Sequence, residues 1–184
     1  LGLLKMDFLG LSNLTTRNNA LRIVKRVYGE DIRIEKIPID DEKTFELLQR
    51  GDTTGVFQLE SAGMKRYLKD LKPTVFEDIV AMCALYRPGP LGAGLTDSFV
   101  KRKNGLEEVV YDHPLTKSSL QSTYGVIVYQ EQVMQMSKEM CGFTGGEADT
   151  LRKAIGKKKR DVMDKMGQQF IDGAVENGVP KQVV

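Results

Sequence analysis

The sequence predicts a mainly helical protein with a few short β-strands, an α+β fold. Apolar residues recur at helical spacing through most of the 184 residues, and capping residues precede many of these segments while glycine or proline follows them. A few short runs, among them LGLLKMDFLGL and YGVIVYQEQ, instead have the alternation or the continuous apolar character of strands.

The first strand is predicted at residues 1–11, LGLLKMDFLGL. Lys5 and Asp7 are two positions apart, and side chains at that spacing on a strand point to the same face. An acid and a base placed this way can enter one cleft, the acid toward a metal ion and the base toward a phosphate. The alternative is a simple surface salt bridge, which the pattern alone favours.

Two helices follow this strand. The first begins at about Ser12 and stops at Gly29, and the second takes Asp40 as its N-cap and ends at Gly51. The predicted apolar stripe of the first helix consists of Leu14, Leu21, Val24 and Tyr28. This stripe is expected to face the interior.

The segment GDTTGVFQLES predicts a short buried strand or a turn that leads into a third helix, capped by Ser61 and closed before Pro73. A fourth helix follows, with Thr74 and Glu77 as a capping box. Its predicted inner face consists of Phe76, Ile79, Val80 and Cys83.

Arg87 lies at the exit of the fourth helix, before Pro88, Gly89 and Pro90. The prolines predict a rigid turn, and the glycine permits close approach by a ligand or another segment. Arg87 is therefore a candidate ligand contact, although an ordinary helix stop with a surface arginine explains the pattern as well.

After a polar loop around residues 112–122, YGVIVYQEQ predicts a short strand that passes directly into a helix. The polar residues at this junction are 129–132, among them Tyr129, Gln130 and Gln132, and packing is the favoured interpretation over function. The helix has Val133, Met136 and Met140 on its inner face.

The last two helices are predicted from a capping box and a second apolar stripe. Thr144 as N-cap and Glu147 at the third helical position define the start of the first of them. The second begins near Asp161 and ends near Gly178. Its buried side chains are predicted to be Val162, Met166, Phe170 and Ala174.

The first of these two helices is predicted to carry a cluster of six cations with no acid among them, although the formal net charge of the chain is only +2. They are Arg152, Lys153, Lys157, Lys158, Lys159 and Arg160. Such a stripe suits a triphosphate or a nucleic-acid backbone, because arginine presents a planar fork to phosphate oxygens. A solvated helix face is an equally good explanation from the residues alone.

Composition excludes several other functions. The single histidine, His113, makes a histidine-rich metal site or a Ser-His-Asp apparatus hard to assemble. The two cysteines, Cys83 and Cys141, lack metal-ligand spacing and are predicted to be buried free thiols. No apolar run approaches the ~20 residues that cross a bilayer, and no secretion signature is present, so a cytoplasmic protein is expected.

Five motifs, in this order, closely resemble those of the bacterial DNA polymerase III alpha subunit family, the C-family replicative polymerases. They are LKMDFLGL, TTGVFQLES, FEDIVAMCALYRPGPL, YGVIVYQEQVM and GGEADTLRKAIGKKK. The resemblance covers essentially the whole chain. It implies that residues 1–11 are the C-terminal strand of a catalytic palm and that residues 12–184 are a helical fingers domain, incomplete at its C-terminal side.

The resemblance also implies roles for particular residues. Asp7 matches one of three palm aspartates that bind two Mg²⁺ ions, and Lys5 matches a contact to the incoming triphosphate. Arg152 and Lys153 match a basic pair that binds its phosphates, although Lys153 replaces an arginine and so lacks the bidentate fork. Further possible nucleotide or DNA contacts are Arg87, Tyr129, Gln130, Lys157, Lys158 and Lys159.

The implied activity is template-directed nucleotidyl transfer by a DNA-directed DNA polymerase in replication. The implied partners are primer-template DNA, deoxynucleoside triphosphates and, through regions absent here, a sliding clamp and other replicase subunits, with no membrane. The paired palm aspartates and a downstream Asn-Lys-Ser-His stretch are missing, so we expect a fragment that is inactive alone and binds no Mg²⁺ stably.

Two other functions remain open from the residues alone. The first is a non-catalytic, basic helical module that binds nucleic-acid backbone through residues 152–160. The second is a helical scaffold whose basic stripe meets an acidic protein, which leaves Lys5 and Asp7 unexplained.

Overall fold

The computed structural model describes residues 2–157 and 160–184, and over this range the chain is built from α-helices joined by turns and three short 3₁₀ segments. The helices are α1 Ser12–Tyr28, α2 Glu42–Arg50, α3 Ala62–Leu71, α4 Phe76–Leu85, α5 Pro88–Gly92, α6 Leu95–Lys103, α7 Lys117–Leu120, α8 Gln130–Cys141, α9 Gly145–Lys157 and α10 Arg160–Glu176. The 3₁₀ segments are Ile34–Lys36, Pro114–Thr116 and Gln121–Thr123.

The prediction of an α+β fold is wrong, because none of the described residues forms a strand. Residues 2–11 and 126–129 lack regular secondary structure. A strand needs a neighbour to accept and donate its backbone hydrogen bonds. The described part of the chain supplies no such neighbour, so alternation and apolar character alone do not produce a sheet.

Most helix ends predicted from capping residues are confirmed. Gly29 and Gly51 end α1 and α2 in the left-handed conformation, with φ of 73° and 67°. The Ser61 side chain accepts a hydrogen bond from the Met64 amide at 3.3 Å and starts α3. These signals act within one turn of helix, which is why the sequence is sufficient to predict them.

Several boundary residues differ from their predicted positions. Asp41, not Asp40, caps α2, and its carboxylate accepts from the Thr44 amide at 2.8 Å. At the start of α4, the carboxylate of Asp78, not Glu77, accepts a hydrogen bond from the Thr74 amide at 2.9 Å. Two predicted irregular segments also contain helix: the Pro-Gly-Pro segment forms α5, because proline suits the first turn, and residues 112–122 include α7.

The buried face of α4 is also offset from the predicted one. The buried residues are Asp78, Ala81, Met82 and Leu85. Phe76 and Val80, predicted to face inward, are 48% and 42% exposed. Nearly every position of this helix is apolar, so its sequence does not specify which side packs against the core.

Two apolar clusters form the interior. The first joins α2, α3, α4 and α6, and at its centre Leu68, Met82 and Phe99 are almost fully buried. The second joins α8, α9 and α10 around Met140 and Met166. It confirms the stripe predicted for the last helix, including Val162, Phe170 and Ala174.

A buried ion pair holds α3, α4 and α6 together. Lys103 Nζ lies 3.3 Å from Asp78 Oδ2, with the two side chains 8% and 3% exposed. The ammonium also donates to the Lys72 carbonyl at 2.8 Å, at the end of α3. Opposite charges thus meet the helix termini they stabilise: a cation at a C-terminus and an anion at an N-terminus.

Helix α1 is amphipathic but has no buried residue. Leu14 is 50% exposed and Tyr28 is 73% exposed, so the stripe predicted to face the interior is not covered by the described residues. Among those residues, no helix combines the length and apolar character needed to cross a membrane.

Candidate functional site

Helix α9 presents the paired cations Arg152 and Lys153. The predicted capping box at its start is confirmed: the Thr144 amide donates to Glu147 Oε2 at 2.8 Å, and the Glu147 amide donates to Thr144 Oγ1 at 3.3 Å. The Thr144 amide and, second, the Thr144 hydroxyl, which also donates to Glu147 Oε2 at 2.8 Å, lower the pKa of the Glu147 carboxyl. The box fixes the start of the helix, and with it the direction in which the cations project.

One face of α9 is anchored in the second apolar cluster. Ala148, Leu151 and Ala154 are at most 6% exposed. At about 100° per residue, positions 149, 152 and 153 fall on the flank away from this buried face. Arg152 and Lys153 are consequently turned toward the surface, with their side chains 35% and 59% exposed.

Asp149 lies on the same flank and pairs with both cations. Its Oδ1 accepts hydrogen bonds from Arg152 Nε at 3.0 Å and from Arg152 Nη2 at 2.8 Å. Its Oδ2 lies 2.6 Å from Lys153 Nζ. The ammonium of Lys153, followed by the guanidinium of Arg152, holds the pKa of the Asp149 carboxyl below its ordinary value.

The chemistry of this group is that of an anion site. Two fixed positive charges share one carboxylate, which leaves a net positive charge on the surface of the helix. The guanidinium offers a planar set of donors, and the ammonium offers a compact charge. Phosphate oxygens match both donors.

The structure describes only two of the remaining four members of the basic cluster. Lys157 is exposed at the end of α9, and Arg160 is exposed at the start of α10. Lys158 and Lys159, both predicted nucleotide or DNA contacts, lie outside the described residues.

Lys5 and Asp7 lie in the irregular segment before α1. Their side chains are 86% and 69% exposed, and Lys5 Nζ is 3.7 Å from Asp7 Oδ1. The predicted proximity is therefore present, but without the strand. Within residues 2–157 and 160–184, no three potential metal ligands come together, so the described residues alone do not fit a Mg²⁺ centre.

Arg87 and Tyr129 both lie near Cys83 on α4. Arg87, at the start of α5, lines a crevice of about 230 Å³ with Gln58 and Cys83. Tyr129 is half-buried, and burial, with Glu77 and Cys83 as smaller contributors, raises the pKa of its phenol. Gln130 is exposed at the first position of α8.

Gln132, the last residue of the segment predicted to pack at this junction, fixes it. Its Oε1 accepts from the amides of Val128 at 2.8 Å and Tyr129 at 2.9 Å, and its Nε2 donates to Thr123 Oγ1 at 2.8 Å. Only 7% of Gln132 is exposed. Its signal in the sequence is a glutamine at the third helical position, the place of the acceptor in a capping box.

The pairing of Asp149 with both cations was not predicted. An acid three and four residues before two cations on a predicted helix indicates side-chain pairing. The prediction considered only the interval between the cations, which holds no acid.

Residues 13–178 match the model of a protein family described as the bacterial DNA polymerase III alpha subunit finger domain. Among curated proteins, the chain is 59% identical over 184 residues to the DNA polymerase III subunit alpha of Aquifex aeolicus, with 100% of the chain and 16% of the relative covered. It is 49% identical over 181 residues to that of Halalkalibacterium halodurans, with 98% and 16% covered.

A third relative, from Staphylococcus aureus strain COL, is also named DNA polymerase III subunit alpha. It is 50% identical over 183 residues, with 100% of the chain and 17% of the relative covered. The chain thus spans about a sixth of the length of the relatives it matches.

Proposed function

The chain belongs to the family of the bacterial DNA polymerase III alpha subunit finger domain, and on that premise we propose that it serves template-directed DNA synthesis in replication as the fingers of a DNA-directed DNA polymerase. The observation that carries the proposal is the pairing of Arg152 and Lys153 on one exposed flank of α9. These cations are placed to bind an incoming deoxynucleoside triphosphate.

The proposed role of the pair is electrostatic. Negative charge on the β- and γ-phosphates is offset by two cations held on a rigid helix, and charge builds on the leaving pyrophosphate as the new bond forms. Arg152 supplies directional hydrogen bonds, while Lys153 supplies charge without a fork. Lys5 is proposed as a further phosphate contact.

Residues 1–11 are proposed as part of the palm and residues 12–184 as fingers. Asp7 is proposed as one metal-site carboxylate that joins others from elsewhere in a full-length polymerase. Mg²⁺, when bound there, supplies Lewis-acid stabilisation of phosphate oxygens. A single carboxylate does not hold two such ions, so this chain alone is expected to show no template-dependent nucleotide incorporation.

Primer-template DNA is the second proposed ligand. Four of the proposed DNA contacts are exposed or half-buried: Arg87, Lys157, Tyr129 and Gln130. Two more, Lys158 and Lys159, are proposed from the sequence alone. A sliding clamp and other replicase subunits are proposed to bind other regions of the polymerase, and the setting is proposed to be cytoplasmic.

The test is Arg152→Ala in a full-length polymerase that contains this segment. We expect the KM for nucleotide to rise on the order of tenfold or more, because a charge-assisted contact to phosphate is lost. Arg50→Ala is the matched control, since Arg50 also pairs with an aspartate, Asp52, at 2.8 Å on a different helix. It is expected to leave KM unchanged.

The alternative, a basic module that binds nucleic-acid backbone, gives a different result. In that case Arg152→Ala leaves the nucleotide KM unchanged but weakens duplex binding and reduces the slope of its salt dependence by about one phosphate contact. That outcome would reject the triphosphate role.

A further inference from the structure

Asp149 is positioned to control both phosphate-binding cations. We propose that Asp149 is a positioning residue that holds Arg152 and Lys153 in the geometry in which they receive the triphosphate. This inference rests on the proposed function of the pair. It assigns a role to an acidic residue in a site whose ligand is itself an anion.

The hydrogen bonds of Arg152 define which donors remain for a ligand. Nε and one Nη2 proton point to a single carboxylate oxygen, Oδ1 of Asp149. The opposite edge, formed by Nη1 and the second Nη2 proton, makes no hydrogen bond to any described residue. An arginine held along one edge presents the other as a two-donor fork, the geometry that phosphate oxygens accept.

The same carboxylate restrains Lys153 through its second oxygen, at 2.6 Å. The lysine ammonium has three protons and uses one of them here, so donors remain for phosphate. Long side chains lose rotamer freedom when they bind a ligand, and prior pairing lowers that cost. Asp149 thereby orders both side chains before the ligand arrives.

Charge is the opposing consideration. A carboxylate repels phosphate, so a residue that only competed with the ligand would weaken binding. Asp149 bears one negative charge against two positive ones, and both of its oxygens are directed at the cations. The pairing also offsets repulsion between Arg152 and Lys153 in the absence of nucleotide. Positioning is therefore expected to outweigh repulsion.

The backbone beneath these side chains is fixed independently of Asp149. Leu151 anchors α9 in the second apolar cluster, and Ala148 and Ala154 on the same face of the helix are also buried. The capping box at Thr144 and Glu147 fixes its first turn. Loss of the Asp149 carboxylate should therefore change the orientation of the two cations and leave the helix intact.

The test compares Asp149→Ala and Asp149→Glu in a full-length polymerase that contains this segment. We expect Asp149→Ala to raise the KM for deoxynucleoside triphosphate about fivefold to tenfold and to weaken inhibition by inorganic tripolyphosphate in parallel. kcat should change by less than about twofold, because KM reports the ground-state contact. Asp149→Glu should restore most of the loss, because it keeps the carboxylate within reach of both cations.

Two controls separate positioning from a general charge effect. Asp172→Ala removes an exposed carboxylate from α10, where it accepts from Gln168 at 2.8 Å, and should leave KM unchanged. In a background of Arg152→Ala, the effect of Asp149→Ala on KM should shrink to the part that acts through Lys153, because the effects of coupled residues are not additive.

Three results would overturn the inference: an unchanged or lowered KM in Asp149→Ala, an undiminished effect in the Arg152→Ala background, or an equal effect from Asp172→Ala. A lowered KM would identify Asp149 as a competitor of the nucleotide. If Arg152→Ala itself leaves KM unchanged, the proposed function fails. If Arg152→Ala raises KM and Asp149→Ala does not, the positioning role alone fails.

Discussion

Replacement of Lys103 by methionine should cost this protein much of its stability. The substitution keeps an unbranched apolar stem of similar length and removes the ammonium. Asp78, 3% exposed, then has no cation beside it, and the Lys72 carbonyl loses the ammonium as its donor. Breaking a buried pair in this way costs about 3–5 kcal/mol.

The lower end of that range applies here, because Asp78 retains three other donors. The amides of Thr74 and Val75 lie 2.9 and 3.3 Å from its Oδ2, and the Thr74 hydroxyl lies 3.4 Å from it. We therefore expect a loss of ~3 kcal/mol in the free energy of unfolding. With a urea m-value of ~2 kcal/mol per M, the midpoint falls by ~1.5 M.

Urea denaturation followed by far-UV circular dichroism measures this shift. Asp52→Ala is the matched control, because it breaks the Arg50–Asp52 pair, whose side chains are 59% and 61% exposed. An exposed pair contributes ~0–1 kcal/mol, so the control should barely move the midpoint. A shift for Lys103→Met no larger than that of the control would refute the argument that α3, α4 and α6 depend on this ion pair.

Three smaller predictions concern packing, thiol reactivity and pH. Gly173→Ala should lower stability by ~1–3 kcal/mol in the same urea assay, because the added Cβ would collide with the Cys141 carbonyl. Gly167→Ala in the same helix is the control. Its added Cβ meets nothing within 4 Å, so it should stabilise the protein by up to ~1 kcal/mol. Burial raises the pKa of the Cys141 thiol to about 11. Alkylation of Cys141 at pH 8, measured by mass spectrometry, should therefore be slow until urea unfolds the chain. Fast labelling of the folded chain would contradict this. Hydrogen bonds, first from Ser118, lower the pKa of the Glu139 carboxyl. Its contribution to the free energy of unfolding is therefore full above the ordinary pKa and is lost as pH falls through the lowered pKa. This contribution should disappear from the pH dependence of unfolding in Glu139→Gln.

Local signals explain which parts of the fold the sequence predicted. The C-caps at Gly29 and Gly51, the N-cap at Ser61 and the capping box at Thr144 and Glu147 each depend on atoms within about four residues. Short-range hydrogen bonds of this kind are decided by residue type and spacing. They were predicted correctly because no distant segment takes part.

Features that depend on distant segments were missed or wrong. The strand predicted at residues 1–11 is absent from residues 2–11, which pair with no other described segment, and the buried face of α4 depends on which helices cover it. Lys103 reaches Asp78 across 25 positions of sequence, and no local pattern signals that the two will meet in the interior. Tertiary packing decides such contacts, and local propensity does not.

The candidate site divides along the same line. Most of the contacts that orient Arg152 and Lys153 lie within residues 144–157, namely the capping box and the carboxylate of Asp149, while the buried face of α9 packs on α8 and α10 in the second apolar cluster. Lys5 and Asp7 contact one another at 3.7 Å on an exposed, irregular segment, so their orientation depends on whatever surrounds them in a full-length polymerase. Substitutions in residues 144–157 should therefore alter nucleotide binding through local geometry. The effects of substitutions at Lys5 or Asp7 should depend on the segments that surround these residues in a full-length polymerase.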